Sequence, residues 1–132
     1  MKALLDTHVL LWWLEDADRL SAEHKKVLWE ASQDHPLLLS DISLWEIATL
    51  HGLGRIRLDL PLREWLESAS APPLVSRCPI TPAVAAEVAS LPDTVPRDPA
   101  DRIIIATSRV FGATLLTADQ RIIDAKVVPT LT

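Results

Sequence analysis

The stretch Asp98-Pro99-Ala100-Asp101-Arg102-Ile103-Ile104-Ile105-Ala106-Thr107-Ser108-Arg109-Val110-Phe111-Gly112-Ala113-Thr114-Leu115-Leu116-Thr117 decides how this chain folds. It reads as a capped helix, a stop and a short buried strand. Asp98 suits the N-cap, where a carboxylate takes one of the unpaired N–H groups that open a helix. Pro99 suits the first helical position, which needs no N–H and favours its fixed φ. Asp101, third in the helix, sets negative charge against the positive end of the helix dipole. Ile103 to Val110 continue the helix, and Gly112 ends it. Ala113 to Thr117 has the unbroken apolar character of a strand covered on both faces.

The same grammar runs outward. Lys2-Ala3-Leu4-Leu5-Asp6 is a short buried strand ending in an acid, and a helix follows through Leu10, Leu11 and Leu14. Ser21 caps the next helix, with Glu23 in its first turn and Val27, Leu28 and Ala31 on one face. Pro36 breaks it before a strand at Leu37-Leu38-Leu39. Ser40 or Asp41 caps a helix bearing Ile42, Trp45, Ile47, Ala48 and Leu50, which Gly52 and Gly54 stop. Pro61 opens a helix over Leu62 to Ala69, and Leu74 to Ile80 is a third strand. Thr81-Pro82 starts a helix reaching Leu91, and a proline-rich loop spans Pro92 to Arg97. Past Thr117, a short helix around Asp119 to Asp124 leads to a last strand at Lys126-Val127-Val128. Strands alternating with helices predict an α/β fold: three layers, α/β/α, around a mostly parallel sheet of about five short strands. Its 132 residues are expected to form a single domain, 1–132, large enough to bury a core without metal or disulfide staples.

Composition narrows the function. Thirteen Lys and Arg stand against eighteen Asp and Glu, a net charge of −5. That excludes a polybasic nucleic-acid binder working by bulk charge. The longest apolar run, Val9 to Leu14, is far short of a membrane span, and Asp6 interrupts any secretory signal that Lys2 would start. A lone cysteine, Cys78, permits no internal disulfide and no zinc-thiolate cluster; it is expected as a small buried side chain in a cytoplasmic protein.

Sites in open α/β sheets form beyond the carboxyl ends of the strands. Asp6 ends the first strand, and Asp119 lies two residues past the fourth. Asp98 and Asp101 open the helix leading into that fourth strand, and Glu46 lies one turn inside the helix after the second. All five are placed to face one edge of the sheet. Each also has a plain structural use: Asp6 as a polar strand end, Asp98 and Asp119 as helix caps, Asp101 as a dipole partner, Glu46 on a solvated face or in a capping box with Ser43. If they do meet, so many carboxylates cannot stay ionised without a cation. An oxygen-ligated Mg²⁺ or Mn²⁺ matches such a set, and it can orient a phosphodiester and activate water.

The remaining chemistry is sparse. His8 is read as a loop or core histidine, His24 and His35 as surface positions, and His51 as a helix-end residue. There is no Gly-x-Ser-x-Gly, and three glycines leave no phosphate-cradling loop. Trp12, Trp13, Trp29, Trp45 and Trp65 are read as core. Trp12 and Trp13 are adjacent, so one of them is a candidate for a partner interface.

Four stretches taken together resemble the PIN-domain family, and within it the VapC-like ribonuclease toxins of type II toxin–antitoxin pairs. They are Leu4-Leu5-Asp6-Thr7-His8, Ser43-Leu44-Trp45-Glu46-Ile47-Ala48, Arg97-Asp98-Pro99-Ala100-Asp101-Arg102 with Ile104-Ile105-Ala106, and Leu116-Thr117-Ala118-Asp119. The resemblance implies a metal-dependent endoribonuclease. Asp6, Glu46, Asp101 and Asp119 match its acidic core, with Asp6, Asp101 and Asp119 holding Mg²⁺ or Mn²⁺, Asp98 an auxiliary acid and Thr117 a supporting hydroxyl. It also implies an RNA substrate, a cognate antitoxin and a homodimer. Pro96, Ala100 and Thr49 depart from the residues frequent there, and the departures bear on substrate contacts more than on the acids. Arg97, Arg102, Arg55 and Arg57 are candidates to hold the RNA backbone. Two other readings compete: a phosphoryl-transfer receiver or phosphatase-like acidic pocket, and a catalytically silent RNA-binding module. A receiver needs an acidic neighbour for Asp6 and a lysine ending the last strand, whereas Lys126 opens it; a silent binder gains nothing from clustered negative charge. Without the five acids, bases and acids balance, so the excess charge equals the candidate site.

Overall fold

The computed structural model describes residues 1–132. Its strands are β1 (Ala3–Leu5), β2 (Leu37–Ser40), β3 (Val75–Cys78), β4 (Thr114–Leu116) and β5 (Thr130–Leu131). They pair in the order β3-β2-β1-β4-β5, every pair parallel. Helices α1 (Thr7–Glu15), α2 (Ala22–Trp29), α3 (Asp41–Gly52), α4 (Leu62–Ala69), α5 (Pro82–Ser90), α6 (Pro99–Phe111) and α7 (Gln120–Ala125) connect them, with a 3-10 turn at Ala17–Arg19.

Helix starts follow local chemistry. The Ser21, Ser40, Thr81, Asp98 and Asp119 side chains each accept a backbone N–H of the first turn they cap. Asp6 does the same for Thr7 N at 2.8 Å, so the acid that ends β1 also starts α1. Gly112 stops α6 in the left-handed region, at φ 64°.

Alternation along the short strands feeds two cores, one on each face of the sheet. Ala3, Leu5, Leu37, Leu39 and Leu116 pack on one face with Val9 and Leu10 of α1, Ile47 of α3 and Trp65 of α4. Leu4 and Leu115 pack on the other with Ile104 and Ile105 of α6 and Ile122 of α7. Each such leucine or isoleucine contributes roughly 1.5–3 kcal/mol on full burial. The three-layer α/β/α architecture is therefore as expected, and the sheet is wholly parallel. No helix is long and apolar enough to cross a membrane.

Several local expectations are corrected. The last strand is not Lys126–Val128 but Thr130–Leu131. Lys126 adopts a positive φ of 53° to end α7, which turns the chain. Val127 and Val128 still pack on the second core, but pairing with β4 begins only at Pro129, whose carbonyl accepts from Leu115 N at 2.9 Å. The third strand is shorter than Leu74–Ile80; Leu74 and Ile80 are exposed. Helix α2 ends at Trp29, before Ala31. His24 is not on the surface: it is 1% exposed, and its Nε2 lies 2.6 Å from the Leu131 carbonyl of β5. Trp29 and Trp45 are largely exposed, at 65% and 58%, because the core sides of α2 and α3 are taken by Leu28 and Ile47. Trp65 is buried, while Trp12 and Trp13 both lie half-buried against the first core. Arg19 stacks on Trp12, with the guanidinium 4.7 Å from the ring centre. Cys78 is buried and free, as expected.

The strand order sets where a site must form. The chain winds from β1 through β2 to β3 on one side, then continues with β4 and β5 on the other. Direction reverses between β1 and β4, and a crevice opens beyond their carboxyl ends, where helices on opposite faces diverge. Asp6 leaves the end of β1, and Thr117 and Asp119 follow the end of β4.

Candidate active site

A cleft of about 390 Å³ occupies that crevice, and Asp6, Glu46, Asp98, Asp101 and Asp119 all line it. The five acids therefore come together from α3, α6 and the ends of β1 and β4. His8, Arg55 and Arg121 complete its polar wall. The depressions around Met1 and Pro36, around Pro72 and Arg77, and around Trp13 and Leu74 hold no comparable set of titratable groups.

Asp6 is 5% exposed, and both its oxygens are used. Oδ1 accepts from Thr7 N at 2.8 Å and Oδ2 from the Thr117 hydroxyl at 2.7 Å. The Thr117 hydroxyl also accepts from Asp119 N at 3.0 Å, so one side chain sets two of the acids. Behind them the Thr7 hydroxyl donates to Ser43 Oγ at 2.9 Å, tying α1 to α3. Ser43 thus braces two helices; Glu46 needs no capping box. Burial pushes the Asp6 carboxyl up, and the Thr117 hydrogen bond, His8 and the Thr7 N–H pull against that rise.

Across the cleft the carboxylates face one another. One oxygen from each of Glu46, Asp98 and Asp101 lies within 4.8 Å of the others. Asp98 Oδ1 accepts from Asp101 N at 3.1 Å, the helix cap that brings them together. Burial, then the charges of Asp98, Asp6, Glu46 and Asp119, push Asp101 up to about 7. Glu46 is raised by burial first, and the charges of Asp6 and Asp98 add to that rise. Asp119 goes the other way: hydrogen bonding from Arg121 holds it below its ordinary value. Arg121 Nη2 donates to Asp119 Oδ2 at 2.9 Å and reaches Asp101 Oδ2 at 3.4 Å.

A hard divalent cation fits this donor set. Every candidate ligand is a carboxylate oxygen, and three carboxyls are pushed up, by burial first and by neighbouring carboxylates after it. The closest trio shares only Asp101 with the expected set of Asp6, Asp101 and Asp119. The reason is visible: Thr7, Thr117 and Arg121 already engage Asp6 and Asp119.

Other expectations fare differently. His8 is neither loop nor core; it sits in the first turn of α1, exposed, at the cleft wall. Arg55 lines the cleft, whereas Arg57 does not. Arg97 and Arg102 do not line it either; with Asp93 they form a separate polar depression of about 380 Å³. Arg121 carries no sequence signal for a place in the cleft. An arginine two residues after an acid resembles surface charge, and only the cap geometry of Asp119 folds it inward. Lys126 lies outside the cleft, so nothing supplies the lysine of a phosphoryl receiver.

A parallel α/β sheet with a carboxylate cleft at its switch point defines the class of fold and site. Residues 3–128 match the PIN domain, and the chain belongs to the PIN-domain family. Over 119 residues it is 39% identical to Ribonuclease VapC22 of Mycobacterium tuberculosis, covering 90% of this chain and 88% of that one. The fold is similar to VapBC2 from Rickettsia felis, solved bound to a DNA fragment from their promoter, at a TM-score of 0.73 and 12% identity over 99% and 98% of the two chains. It is also similar to a toxin–antitoxin complex from Klebsiella pneumoniae, at a TM-score of 0.66 and 19% identity over 99% and 97%.

Proposed function

We propose that this chain is a VapC-type ribonuclease toxin that hydrolyses RNA phosphodiesters with Mg²⁺ or Mn²⁺ held by its acidic cleft. The observation that carries the reading is the convergence of Asp6, Glu46, Asp98, Asp101 and Asp119 on one cleft in a PIN-domain chain. The similarity to Ribonuclease VapC22 over most of both chains supports RNA as the substrate. The toxin–antitoxin complexes among its structural relatives support a cognate antitoxin as partner. A homodimer is part of the same reading.

Asp6, Asp101 and Asp119 are the ligands, and Asp98 adds charge beside them. A bound divalent cation supplies charge neutralisation and activation of water beside the scissile phosphate. Thr117 keeps Asp6 fixed in one rotamer through its 2.7 Å hydrogen bond. Glu46, on the cleft wall beside Asp98 and Asp101, completes the site or orients the attacking water. Arg55 at the cleft and Arg97 and Arg102 beside it hold the RNA backbone by charge.

Purified protein is incubated with RNA and Mn²⁺ or Mg²⁺, with and without EDTA, beside Asp6→Asn. Cleavage that needs the metal and is lost in Asp6→Asn is expected. Equal cleavage by both proteins would sink the site assignment. Tight RNA binding without any cleavage would return the chain to a silent binding module.

A further inference from the structure

Arg121 occupies the cleft in a way none of the expected RNA contacts does. Asp119 Oδ1 accepts from its backbone N–H at 3.0 Å and its Nε at 3.2 Å, and Asp119 Oδ2 from its Nη2 at 2.9 Å. One residue therefore uses both oxygens of Asp119, and the same Nη2 reaches Asp101 at 3.4 Å. Yet the Arg121 side chain is 66% exposed and anchored only by these solvent-screened contacts. Such solvent-screened pairs are weak. The guanidinium is thus placed on two acids but is not built in.

We propose that Arg121 is a displaceable counter-ion of the cleft, which yields Asp119 and Asp101 to the divalent cation and then serves as a phosphate contact for RNA. The inference rests on the metal-dependent reading above. Arg121 paired with Asp119, and Asp119 as a metal ligand, make competing claims on the same two oxygens. Once released, the arginine remains at the first turn of α7, beside the cleft it has just left. Its planar fork of N–H donors matches a phosphate, which lysine would meet only as a point charge. Before release, its charge is spent against Asp119 and Asp101, and the cleft presents net negative charge to RNA. After release, the neutralised acids and a free guanidinium both favour phosphate. Metal binding therefore comes before RNA and strengthens it.

Mn²⁺ binding to the full chain, without RNA, is measured by calorimetry for the native protein and Arg121→Gln. The variant is expected to bind about fivefold more tightly, the scale of the screened pairs it removes. Equal or weaker binding by the variant, with native binding intact, overturns the displacement and leaves the metal site standing. Absence of Mn²⁺ binding in both overturns the displacement together with the metal-dependent reading. In a second measurement, a phosphorothioate RNA oligonucleotide is titrated by fluorescence anisotropy with and without Mn²⁺. The gain in affinity on adding Mn²⁺ should be severalfold larger in the native protein, with a salt slope steeper by about one. An equal gain and an equal slope overturn the phosphate-binding half.

Discussion

Asp6 and Asp101 are almost equally buried, at 5% and 7% exposed, but their burial is answered in opposite ways. Asp6 has a donor on each oxygen, supplied by Thr7 and Thr117. Asp101 faces Glu46 and Asp98, and its one donor is the exposed Arg121 at 3.4 Å. The first carboxylate is pushed up by burial, but a donor on each oxygen pulls against that rise. The second is left for something the fold does not contain. A buried charge with donors supports the structure, whereas a buried charge facing like charges weakens it until a ligand arrives.

Substitutions can break this contrast. The largest effect is expected from Asp101→Asn, which should lower metal-dependent RNA cleavage at least about a hundredfold, comparable to losing one electrostatic stabiliser of a transition state. Cleavage assays under saturating Mn²⁺ read it, and an unchanged rate would remove Asp101 from the site. Next is the metal itself. Mn²⁺ at a hundred times its Kd should stabilise the native chain by about 2.7 kcal/mol. Thermal melts should show a rise of several degrees that EDTA reverses and Asp101→Asn abolishes.

Thr117→Val tests the donor side. It strips Asp6 Oδ2 of its partner at nearly constant shape, costing roughly 1–3 kcal/mol for a buried acceptor left unpaired. Denaturant midpoints should fall, while Thr117→Ser should retain most of the stability. The smallest effect is also the most diagnostic. With its carboxyl pushed up to about 7, Asp101 binds a proton in the folded chain at a pH where the unfolded chain has released it. Metal-free stability should therefore fall as pH rises from the ordinary carboxylate range, about 3.9, through 7. Asp101→Asn should flatten that slope and raise the metal-free melting temperature at pH 7.5 by about 2–4 °C, the effect of ~1 kcal/mol on a chain of this size. A lower melting temperature would mean that Asp101 is better satisfied than its neighbours suggest.

The same contrast separates what is legible in the sequence from what is not. Caps are local, so Ser21, Thr81 and Asp98 mark their helices in the sequence, and the structure resolves the choice between Ser40 and Asp41 to Ser40. The acids are legible because each sits at a strand end or a helix start, and the strand order brings those ends together. His24 looks like a surface residue in the sequence because its burial depends on the Leu131 carbonyl, 107 residues away. Val127 and Val128 look like a strand, but the left-handed turn at Lys126 delays pairing until Pro129. Arg97 and Arg102 flank the acids in sequence and nonetheless turn to a neighbouring depression. Arg121 carries no local signal, since its contact with Asp101 exists only after α6 and α7 are packed.

Three of the cleft acids, Asp6, Asp98 and Asp119, also cap the helices that follow them, whereas Glu46 and Asp101 cap nothing. In evolutionary terms the two groups are under different constraints. A lineage that abandoned the chemistry could lose Glu46 and Asp101 freely. Loss of a cap to alanine would cost it about 1 kcal/mol at each position, while asparagine or serine would keep the helix start. Decay of the site should therefore leave Asn, Ser or Asp at 6, 98 and 119, whereas no cap holds an acid at 46 or 101. A residue count at these positions in inactive relatives would show whether such a remnant pattern exists.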